Sequence, residues 1–506
     1  MTDGRRVEAD VAVVGGGGAG LAAALEAARA GRRVALLEKN PYLGGTTRLS
    51  VGSISACGTP HQRRRGIRDS PQEFVEDMGL FNQDRGLASR DNPVLCRLLA
   101  EKSSETVEWL MGMGVEFFGP MPEPPNRYPR MHNVLPNSSA YIYHLARHAR
   151  KHGVEILLES TAERLLTQDG RVAGVEGRSA DGSTLQVVAS RGVILATGDY
   201  SSSREMKNTY MSPETAEIEG INPTSTGDGH RIALDVGAQV VNGDLCLGPE
   251  IRFVAPPRRM LISLLPPLTA LAKLMNLVAT RLPAPLLRPM ILAFLTAHLA
   301  PSPKLFEEGA ILVNKEGRRF VNELERPALA IPQQPDQLAF IVFDDRLARR
   351  FSEWPYFIST APGVAYAFLA DYRRNRRDIY AQAASLDGVA QALKVPPASL
   401  AATVADYNRS VDHGADQGFG RTALGQGLKV SPYHALGPAK SWVVLTDGGL
   451  AVTARMEVLD RRGEVIPGLY AAGSTGQGGV LLEAHGLHLN WAFTSGRIAG
   501  RQAASD

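Results

Sequence analysis

The segment that most constrains the fold is VAVVGGGGAGLAAALEAARAGRRVALLEKN, at residues 11–40. It opens with a valine-rich run typical of a buried parallel strand, and Gly15, Gly17 and Gly20 then match the GxGxxG pattern. The alanine-rich stretch that follows predicts a helix, and RVALLE predicts a second strand. This order of strand, glycine turn, helix and strand predicts a βαβ unit in a Rossmann-like, doubly wound α/β domain.

Each part of this unit has a physical role in binding a dinucleotide. Glycines let the backbone turn tightly and approach a pyrophosphate, and the helix N-terminus offers N–H groups to the anion. Glu38 closes the second strand, where a carboxylate would accept both ribose hydroxyls. We therefore expect a dinucleotide with an unmodified ribose 2′-hydroxyl.

Length, charge and cysteine spacing exclude several classes of protein. A chain of 506 residues is too long for one compact core, so at least two domains are expected. A net charge of +3 is too small to indicate nucleic-acid binding. Cys57, Cys96 and Cys246 lack CxxC or CxxCH spacing, which indicates a reducing compartment. The N-terminus has no apolar signal segment, so a cytoplasmic location is expected.

Six further segments follow along the chain. In order they are GGTTRLSVGSI, GVEILLESTAERLLTQDGRVAGVEG, RGVILATGDYS, NPTSTGDGHRIALDVGAQVV, GAILVNKEGRRFVNEL and TDGGLAVTARMEVLDRRGEVIPGLYAAG. Together they resemble segments of the flavoprotein family of fumarate reductases, succinate dehydrogenases, urocanate reductases and 3-ketosteroid dehydrogenases. The resemblance implies FAD as the cofactor and an FAD-binding domain formed by residues 1–240 and 440–506. It also implies an inserted α+β capping domain over 241–439, which is the substrate domain. The flavin ring would lie between the two domains.

The βαβ unit and the resemblance together assign a set of positions to the cofactor. They are Gly15, Gly17, Gly18, Ala19, Gly20, Glu38, Lys39, Gly44, Gly45, Thr46, Thr47, Ser50, Gly52, Ala162, Ala196, Thr197, Gly198, Thr226, Asp228, Gly473, Ser474, Gly486, Leu487 and Leu489. Covalent members of the family place a His just after the glycine pair of the flavin loop. Here Thr46 and Thr47 occupy those positions, so the resemblance implies non-covalent FAD.

The substrate positions depart from the family's pattern. Fumarate reductases bind a dicarboxylate with several Arg and His residues, and an Arg after the RFVNE turn donates the proton. Here Arg326 stands in a shifted register, so it is either an acid or orienting cation, or a surface Arg paired with Glu323 or Glu325. Glu483 stands about where another Arg is expected. Lost cations would leave substrate carboxylates unpaired, so we reject fumarate and succinate as substrates.

Two further side chains are catalytic candidates. His485 precedes the C-terminal helix, whose N-terminus should face the flavin, and we interpret it as a pocket-lining residue. His485 and His488 have the spacing of a metal pair, but no third ligand is nearby, so no metal is predicted. Tyr366 is favoured among the capping-domain tyrosines as an acid, a base or a carbonyl-polarising group, although any one such tyrosine is more often a core residue with its hydroxyl hydrogen-bonded.

The stretch at 256–304 is rich in Leu, Met and Pro, and no acidic residue occurs between Glu250 and Glu307. Its prolines predict short helices over about 268–281 and 286–300, too short to span a bilayer. Two interpretations stay open. Either the helices pack as ordinary core, or they form a peripheral membrane surface on the inner face of the membrane, at the mouth of a substrate channel. The second interpretation would use the basic residues Arg258, Arg259, Lys273, Arg281 and Arg288 to attract anionic lipid.

These observations predict an FAD-dependent oxidoreductase that acts on CH–CH bonds beside a carbonyl. We expect a lipophilic substrate, such as a ketosteroid-like molecule. An external quinone or redox protein would exchange the electrons. One alternative is a soluble reductase of a small enoate, similar to fumarate or urocanate reductase. A further alternative is a flavoprotein that serves only as an electron-transfer or scaffold subunit.

Overall fold

The computed structural model describes residues 4–257, 261–282, 296, 299–361 and 365–505. The strands within these ranges are β1 (Arg5–Val14), β2 (Val34–Leu37), β3 (Ser53–Ser55), β4 (Glu116–Met121), β5 (Met131–Leu135), β6 (Glu155–Leu157), β7 (Thr161–Gln168), β8 (Arg171–Arg178), β9 (Thr184–Leu195), β10 (Val240–Val241), β11 (Cys246–Leu247), β12 (Glu250–Phe253), β13 (Ala300–Pro301), β14 (Ile311–Val313), β15 (Ala339–Asp344), β16 (Ser359–Ala361), β17 (Ala365–Ala367), β18 (Tyr380–Ala383), β19 (Tyr433–Trp442), β20 (Leu445–Thr446), β21 (Gly449–Leu450), β22 (Glu457–Leu459) and β23 (Val465–Ala471).

The helices within the same ranges are α1 (Gly18–Arg29), α2 (Gly45–Leu49), α3 (Pro60–Arg64), α4 (Pro71–Asp84), α5 (Pro93–Gly112), α6 (Ser139–Lys151), α7 (Arg204–Tyr210), α8 (Pro213–Ala216), α9 (Asp228–Leu234), α10 (Leu261–Leu264), α11 (Thr269–Arg281), α12 (Pro303–Glu307), α13 (Asp345–Arg350), α14 (Leu369–Asn375), α15 (Leu386–Leu393), α16 (Pro397–His413) and α17 (Leu487–Ser505).

The main sheet is built on the predicted βαβ unit. Its strands lie in the order β22–β23–β9–β1–β2–β6, and the four pairings from β23 to β6 are parallel. Helix α1 connects β1 to β2 and is buried along almost its whole length. The C-terminal helix α17 packs closely on α1, because Gly496 and Gly500 leave room for its backbone. A Cβ atom at these two glycines would lie 2.3 Å from Ala19 O and 2.2 Å from Ala23 O.

A second hydrophobic cluster forms around a separate antiparallel sheet. This sheet has the order β12–β19–β15–β14, with β18 also paired to β19. Its buried residues fall between 251 and 439, whereas those of the main cluster fall at 7–238 and 450–504. Two short ribbons, β10 with β21 and β11 with β20, join the two parts. We propose that the domain bounds lie in these ribbons, near the predicted positions 240 and 440.

The apolar stretch at 256–304 is described only in part. The helix expected over 268–281 is present as α11, at Thr269–Arg281. Of the second helix, expected over 286–300, only 296, 299 and 300 are among the described residues, and Ala300 belongs to β13 and not to a helix. Arg258, Arg259 and Arg288 lie outside the described residues. Among the helices that the structure describes, none combines the length and the apolar character needed to cross a bilayer.

Candidate functional site

A cleft of about 810 Å³ opens where four strands of the main sheet end. Val14, Leu37, Ala196 and Ala472 line it, and they stand at or just after the carboxyl ends of β1, β2, β9 and β23. Ligands of open α/β sheets bind outside these carboxyl ends, where successive strands diverge. The order of the strands therefore places the binding site at this edge of the sheet.

The glycine turn leaves space for an anion at the start of α1. Gly17 lines the cleft, and a Cβ atom there would meet only Gly44 O, at 3.9 Å, so it would project into the cleft. Gly20 has a different role, since its Cβ would lie 1.8 Å from Gly15 O and force α1 away from β1. The first turn of α1 carries no acidic side chain. Its N–H groups and positive dipole thus fit a pyrophosphate.

Glu38 is a buried carboxylate held in one orientation at the end of β2. Its Oε2 accepts a hydrogen bond from Gly16 N at 2.8 Å. Its Oε1 accepts from Asn40 N at 2.8 Å and Asn40 Nδ2 at 2.7 Å. A fixed acceptor beside the glycine turn is what recognition of a ribose diol requires.

Lys39 ties the end of β2 to the start of α9 across the cleft. Its Nζ donates to Thr226 Oγ1 at 2.6 Å and to Asp228 Oδ2 at 2.7 Å. Arg231 also pairs with Asp228, at 2.5 Å. Lys39 and Asp228 both line the cleft, so this ion pair forms part of its wall.

The loop after β2 supplies two threonines to the cleft. Thr47 Oγ1 accepts from Gly18 N at 3.2 Å, and Thr46 Oγ1 accepts from Asn222 Nδ2 at 2.9 Å. Gly44 lies behind them, with its N–H donating to Gly16 O at 3.0 Å. The loop is therefore bonded both to the glycine turn and to the segment before α9.

Most of the predicted cofactor positions meet in this cleft. Those that line it are Gly15, Gly17, Gly18, Ala19, Glu38, Lys39, Gly45, Thr46, Thr47, Ala162, Ala196, Thr197, Gly198, Asp228, Gly473 and Ser474. Those that do not line it are Gly20, Gly44, Ser50, Gly52, Thr226, Gly486, Leu487 and Leu489. Gly52, for example, accepts from Tyr141 OH at 2.8 Å, which is a structural contact. The roles of all these residues in binding stay predictions.

Sequence reasoning missed several polar residues of the cleft. They are Asn40, Ser160, Thr161, Asn222, Thr224 and Ser225. Asn222, Thr224 and Ser225 fall inside the NPTSTGDG segment that carries part of the family resemblance, so that segment was the available signal. Asn40 directly follows Lys39, and no pattern in the sequence shows that its amide holds Glu38.

None of the three catalytic candidates lines this cleft. His485 is partly exposed, and both its Nδ1 and its backbone N bond to Glu123 Oε1, at 2.6 and 2.9 Å. Ser55 Oγ donates to His485 O at 2.6 Å, which fixes the segment before α17 against β3. Glu123 is buried and follows β4 closely in the chain. A carboxylate that holds one nitrogen of an imidazole leaves the other as the proton-transfer atom.

The two other candidates lie in the second part of the chain. Arg326 is exposed and begins the short turn Pro327–Leu329 with a φ of 50°. Glu323, one partner considered for Arg326, instead pairs with Arg319 and Arg421. Tyr366 stands in β17, where its ring contacts Trp354 and Phe357 at centroid distances of 5.1 and 4.9 Å.

Charged side chains gather around Cys246, at the ribbon between the two parts. Burial raises the pKa of the Cys246 thiol to about 11, and the nearby Arg85, Lys207 and Arg326 oppose that rise. Arg85 donates to Cys246 O at 3.4 Å and forms an ion pair with Glu483. Burial likewise raises the pKa of Asp447, which lies close enough to Arg85 for their charges to interact. The guanidinium of Arg85 is thus already paired with a carboxylate of the protein, that of Glu483.

A glycine turn, a helix N-terminus and a buried carboxylate in a cleft at the carboxyl end of a parallel sheet are typical of a dinucleotide-binding α/β protein. The model of the FAD binding domain family matches residues 10–251 and 294–482. The chain therefore belongs to this family of flavoproteins, and FAD is its cofactor. The family, the fold class and the cofactor expected from the sequence are thereby confirmed.

Relatives of known activity share nearly the whole chain. Fumarate reductase (cytochrome) from Shewanella frigidimarina is 28% identical over 517 residues, which cover 98% of this chain and 77% of the relative. The open conformation of a flavocytochrome c3 fumarate reductase superposes with a TM-score of 0.71 and 27% identity, covering 99% of this chain and 78% of that one.

A structure with a steroid bound is also similar. 3-Ketosteroid-Δ4-(5α)-dehydrogenase from Rhodococcus jostii RHA1, solved with 4-androstene-3,17-dione, has a TM-score of 0.60 and 25% identity. The match covers 100% of this chain and 98% of that one. The chain is accordingly a flavin-dependent oxidoreductase of a family that acts on CH–CH groups.

Proposed function

We propose that this flavoenzyme adds or removes hydrogen across a carbon–carbon bond beside the carbonyl group of a lipophilic, ketosteroid-like substrate. One observation carries the substrate class: Glu483, which stands about where the family's pattern has an Arg, pairs with Arg85. A dicarboxylate entering this region would meet a neutralised cation and the buried Asp447. An unpaired buried carboxylate is strongly unfavourable, whereas an uncharged substrate avoids that cost.

The similarity to a steroid-bound enzyme supports the same substrate class. The Rhodococcus dehydrogenase matches this chain over its full length and was solved with an uncharged diketone. This family fold therefore accommodates a rigid apolar substrate in at least one relative. We take a cyclic enone of steroid size as the first substrate to test.

His485 is the side chain that we assign to proton transfer. When bound, FAD supplies the two-electron centre that exchanges a hydride with one carbon of the substrate. Glu123 accepts the Nδ1–H of His485, so Nε2 is left as the basic nitrogen. In desaturation Nε2 would accept the proton from the carbon beside the carbonyl, and in reduction it would return that proton.

We further propose that FAD is held without a covalent bond. Thr46 and Thr47 line the cleft in the loop where covalent members of the family carry a His. Among the described residues that line the cleft, there is no His, Cys or Tyr. Denaturation in acid should therefore release all of the yellow cofactor into the supernatant. Yellow colour that stays with the precipitated protein would contradict this proposal.

An external partner would complete the redox cycle. The sequence has no CxxCH motif and no cysteine cluster, so we propose a quinone or a separate redox protein as the electron partner. A soluble dye can replace this partner in an assay of the purified holoenzyme.

The experiment that tests the substrate class compares two panels on the purified holoenzyme. One panel contains ketosteroids and other lipophilic enones, and the other contains fumarate, urocanate and acrylate. We expect turnover with members of the first panel and none with fumarate. Turnover of a small enoate at an equal or higher rate, with no reaction of any lipophilic compound, would overturn the proposal.

The second candidate function is that of a soluble reductase that acts on a small enoate. The fumarate reductase of Shewanella favours it, because its similarity extends over 98% of this chain. Glu483→Gln separates the two candidates, since it removes the carboxylate that neutralises Arg85. On the lipophilic hypothesis, fumarate should perturb the flavin absorbance of the variant more than that of the wild type. An equal and strong perturbation in both proteins would favour the small enoate.

A further inference from the structure

Helix α11 exposes several of its large apolar side chains. On the inner side Ala272 is buried, and Thr269, Leu271, Met275, Asn276 and Ala279 are partly buried. The exposed residues follow the opposite stripe of the helix and are Ala270, Lys273, Leu274, Leu277, Val278, Thr280 and Arg281. Leu274, Leu277 and Val278 nevertheless face outward, where a helix that packs on a protein in water usually carries polar residues. The outer face of α11 is therefore suited to an apolar environment.

Polar contacts hold α11 in this orientation. Thr269 Oγ1 donates to Gly114 O at 2.8 Å. Asn276 Nδ2 donates to Phe117 O at 3.0 Å and to Glu116 Oε1 at 2.7 Å. A rotation that buried the leucines would break these bonds and leave buried polar groups without partners. The outward position of the leucines is thus built into the fold.

The outer face carries several exposed apolar side chains. Leu274, Leu277 and Val278 are 56, 47 and 45% exposed. Leu264, Leu268 and Leu282, beyond the two ends of the helix, are exposed as well. Exposed apolar side chains that lie close together mark a site of association with a protein, a ligand or a membrane.

The charge of the segment selects an anionic lipid surface among these partners. Lys273 and Arg281 lie on the outer stripe, and no acidic residue occurs between Glu250 and Glu307. At a bilayer the basic groups would reach the headgroups while the leucines enter the acyl boundary. The helix has 13 residues, or about 20 Å, which suits a position in the plane of the interface.

The same segment is an addition to the family's domain. The family model matches up to residue 251 and resumes at 294, so α11 lies in the part that it leaves unmatched. We propose that α11, through its outer face, docks this enzyme on a bilayer that contains anionic lipid. The proposal does not depend on the identity of the substrate.

Flotation of the holoenzyme with vesicles tests this proposal. Wild-type protein should float with vesicles of phosphatidylcholine and phosphatidylglycerol, and less with phosphatidylcholine alone. Leu274→Glu/Leu277→Glu should lower the partition coefficient by about 100-fold. The matched control is Val94→Glu/Val465→Glu, which changes exposed apolar residues of the FAD-binding domain and should float like the wild type. Unchanged FAD content in both variants shows that they are folded.

Two results would overturn the proposal. One is wild-type protein that stays in the unfloated fraction with both kinds of vesicle. The other is equal flotation of the wild type and Leu274→Glu/Leu277→Glu. If a second copy covers the patch instead, sedimentation should detect a wild-type dimer that this variant abolishes, with no flotation, and docking on lipid is then excluded.

An environment-sensitive label on Leu277→Cys gives a second measurement, because all three native cysteines are buried. Its emission should shift to the blue with anionic vesicles, and an unchanged spectrum would count against docking.

Discussion

Glu123 and His485 form one hydrogen-bonded unit, in which a single carboxylate oxygen accepts from both the backbone and the side chain of the histidine. The two bonds to Oε1 measure 2.9 Å from N and 2.6 Å from Nδ1. Within the part of the chain that the structure describes, Oε2 of Glu123 has no hydrogen-bond partner although it is buried. Such a carboxylate fixes the orientation of the imidazole beside it and leaves Nε2 as the nitrogen that can exchange a proton. The pair is therefore suited to a histidine that gains and loses a proton during a reaction.

Replacement of His485 should abolish proton transfer without affecting the cofactor. We expect His485→Ala to lower kcat by about 10²-fold or more, the usual contribution of a positioned acid or base. Glu123→Gln should lower kcat less, because it only weakens the hydrogen bonds that orient the ring. Steady-state kinetics with a substrate found in the lipophilic panel would measure both effects.

His152→Gln is the control for these variants, since His152 is an exposed residue at the end of α6. It should leave kcat and the FAD content unchanged. If His485→Ala kept the wild-type kcat and pH profile, His485 would be a structural residue and another group would transfer the proton.

The glycine turn allows a precise test of the FAD site. Gly17 has a φ of −77°, which suits any residue, so Gly17→Ala should fold normally. Its new methyl group would nevertheless project into the cleft where the pyrophosphate is expected. We expect at least a tenfold weaker FAD affinity, about 1.4 kcal/mol, measured by titration of the apoprotein with FAD.

Gly79→Ala serves as the matched control for that titration. Gly79 lies within α4, and a Cβ atom there would have no neighbour within 4 Å. FAD affinity should stay at the wild-type value, and the helix should become slightly more stable. If the two variants bound FAD equally well, the pyrophosphate would not lie against Gly17.

The parts of the fold that local patterns determine could be predicted from the sequence. The glycine turn, the alanine-rich helix and Glu38 lie within about 25 residues of one another, so their spacing alone brings them together. The family segments then located the remaining walls of the cleft around Ala162, Ala196 and Gly473. These segments follow strands whose carboxyl ends must meet at one edge of a parallel sheet.

Contacts between distant segments could not be predicted in this way. Glu123 and His485 are 362 positions apart, and nothing near Glu123 in the sequence indicates its partner. The orientation of α11 could not be predicted from the sequence either, because the spacing of its leucines is the same whether they face the protein core or the solvent. Only the bonds of Thr269 to the turn after α5 and of Asn276 to β4 decide between the two.

A buried ion cluster should dominate the stability of the second part of the chain. Glu323 is fully buried and accepts from Arg319 at 2.8 and 2.9 Å and from Arg421 at 3.1 Å. Glu323→Gln would leave both guanidinium groups without their shared counter-ion, at a cost of about 3–5 kcal/mol. Urea unfolding should report this loss, whereas the exposed neighbour variant Glu325→Gln should unfold like the wild type.

The link between α5 and α17 should make stability depend on pH. Burial alone would raise the pKa of Glu105, but Arg497 and Arg501 lower this pKa to about 2. Their guanidinium nitrogens lie 2.5 and 3.2 Å from Oε1 of Glu105. A carboxylate whose pKa is lower in the folded state stabilises the fold above its unfolded pKa of about 4.5. That stabilisation is lost as the pH falls from about 4.5 towards 2.

Glu105→Gln tests this expectation against the wild type. Because the Glu105 side chain is 43% exposed, we expect a loss of only about 1 kcal/mol at pH 7. The difference in the free energy of unfolding should shrink below about pH 4.5, as the wild-type carboxylate becomes protonated. Glu101→Gln, one turn earlier on α5, should match the wild type at every pH. A difference for Glu105→Gln that stayed constant down to pH 3 would show that the arginines do not act through the charge of this carboxylate.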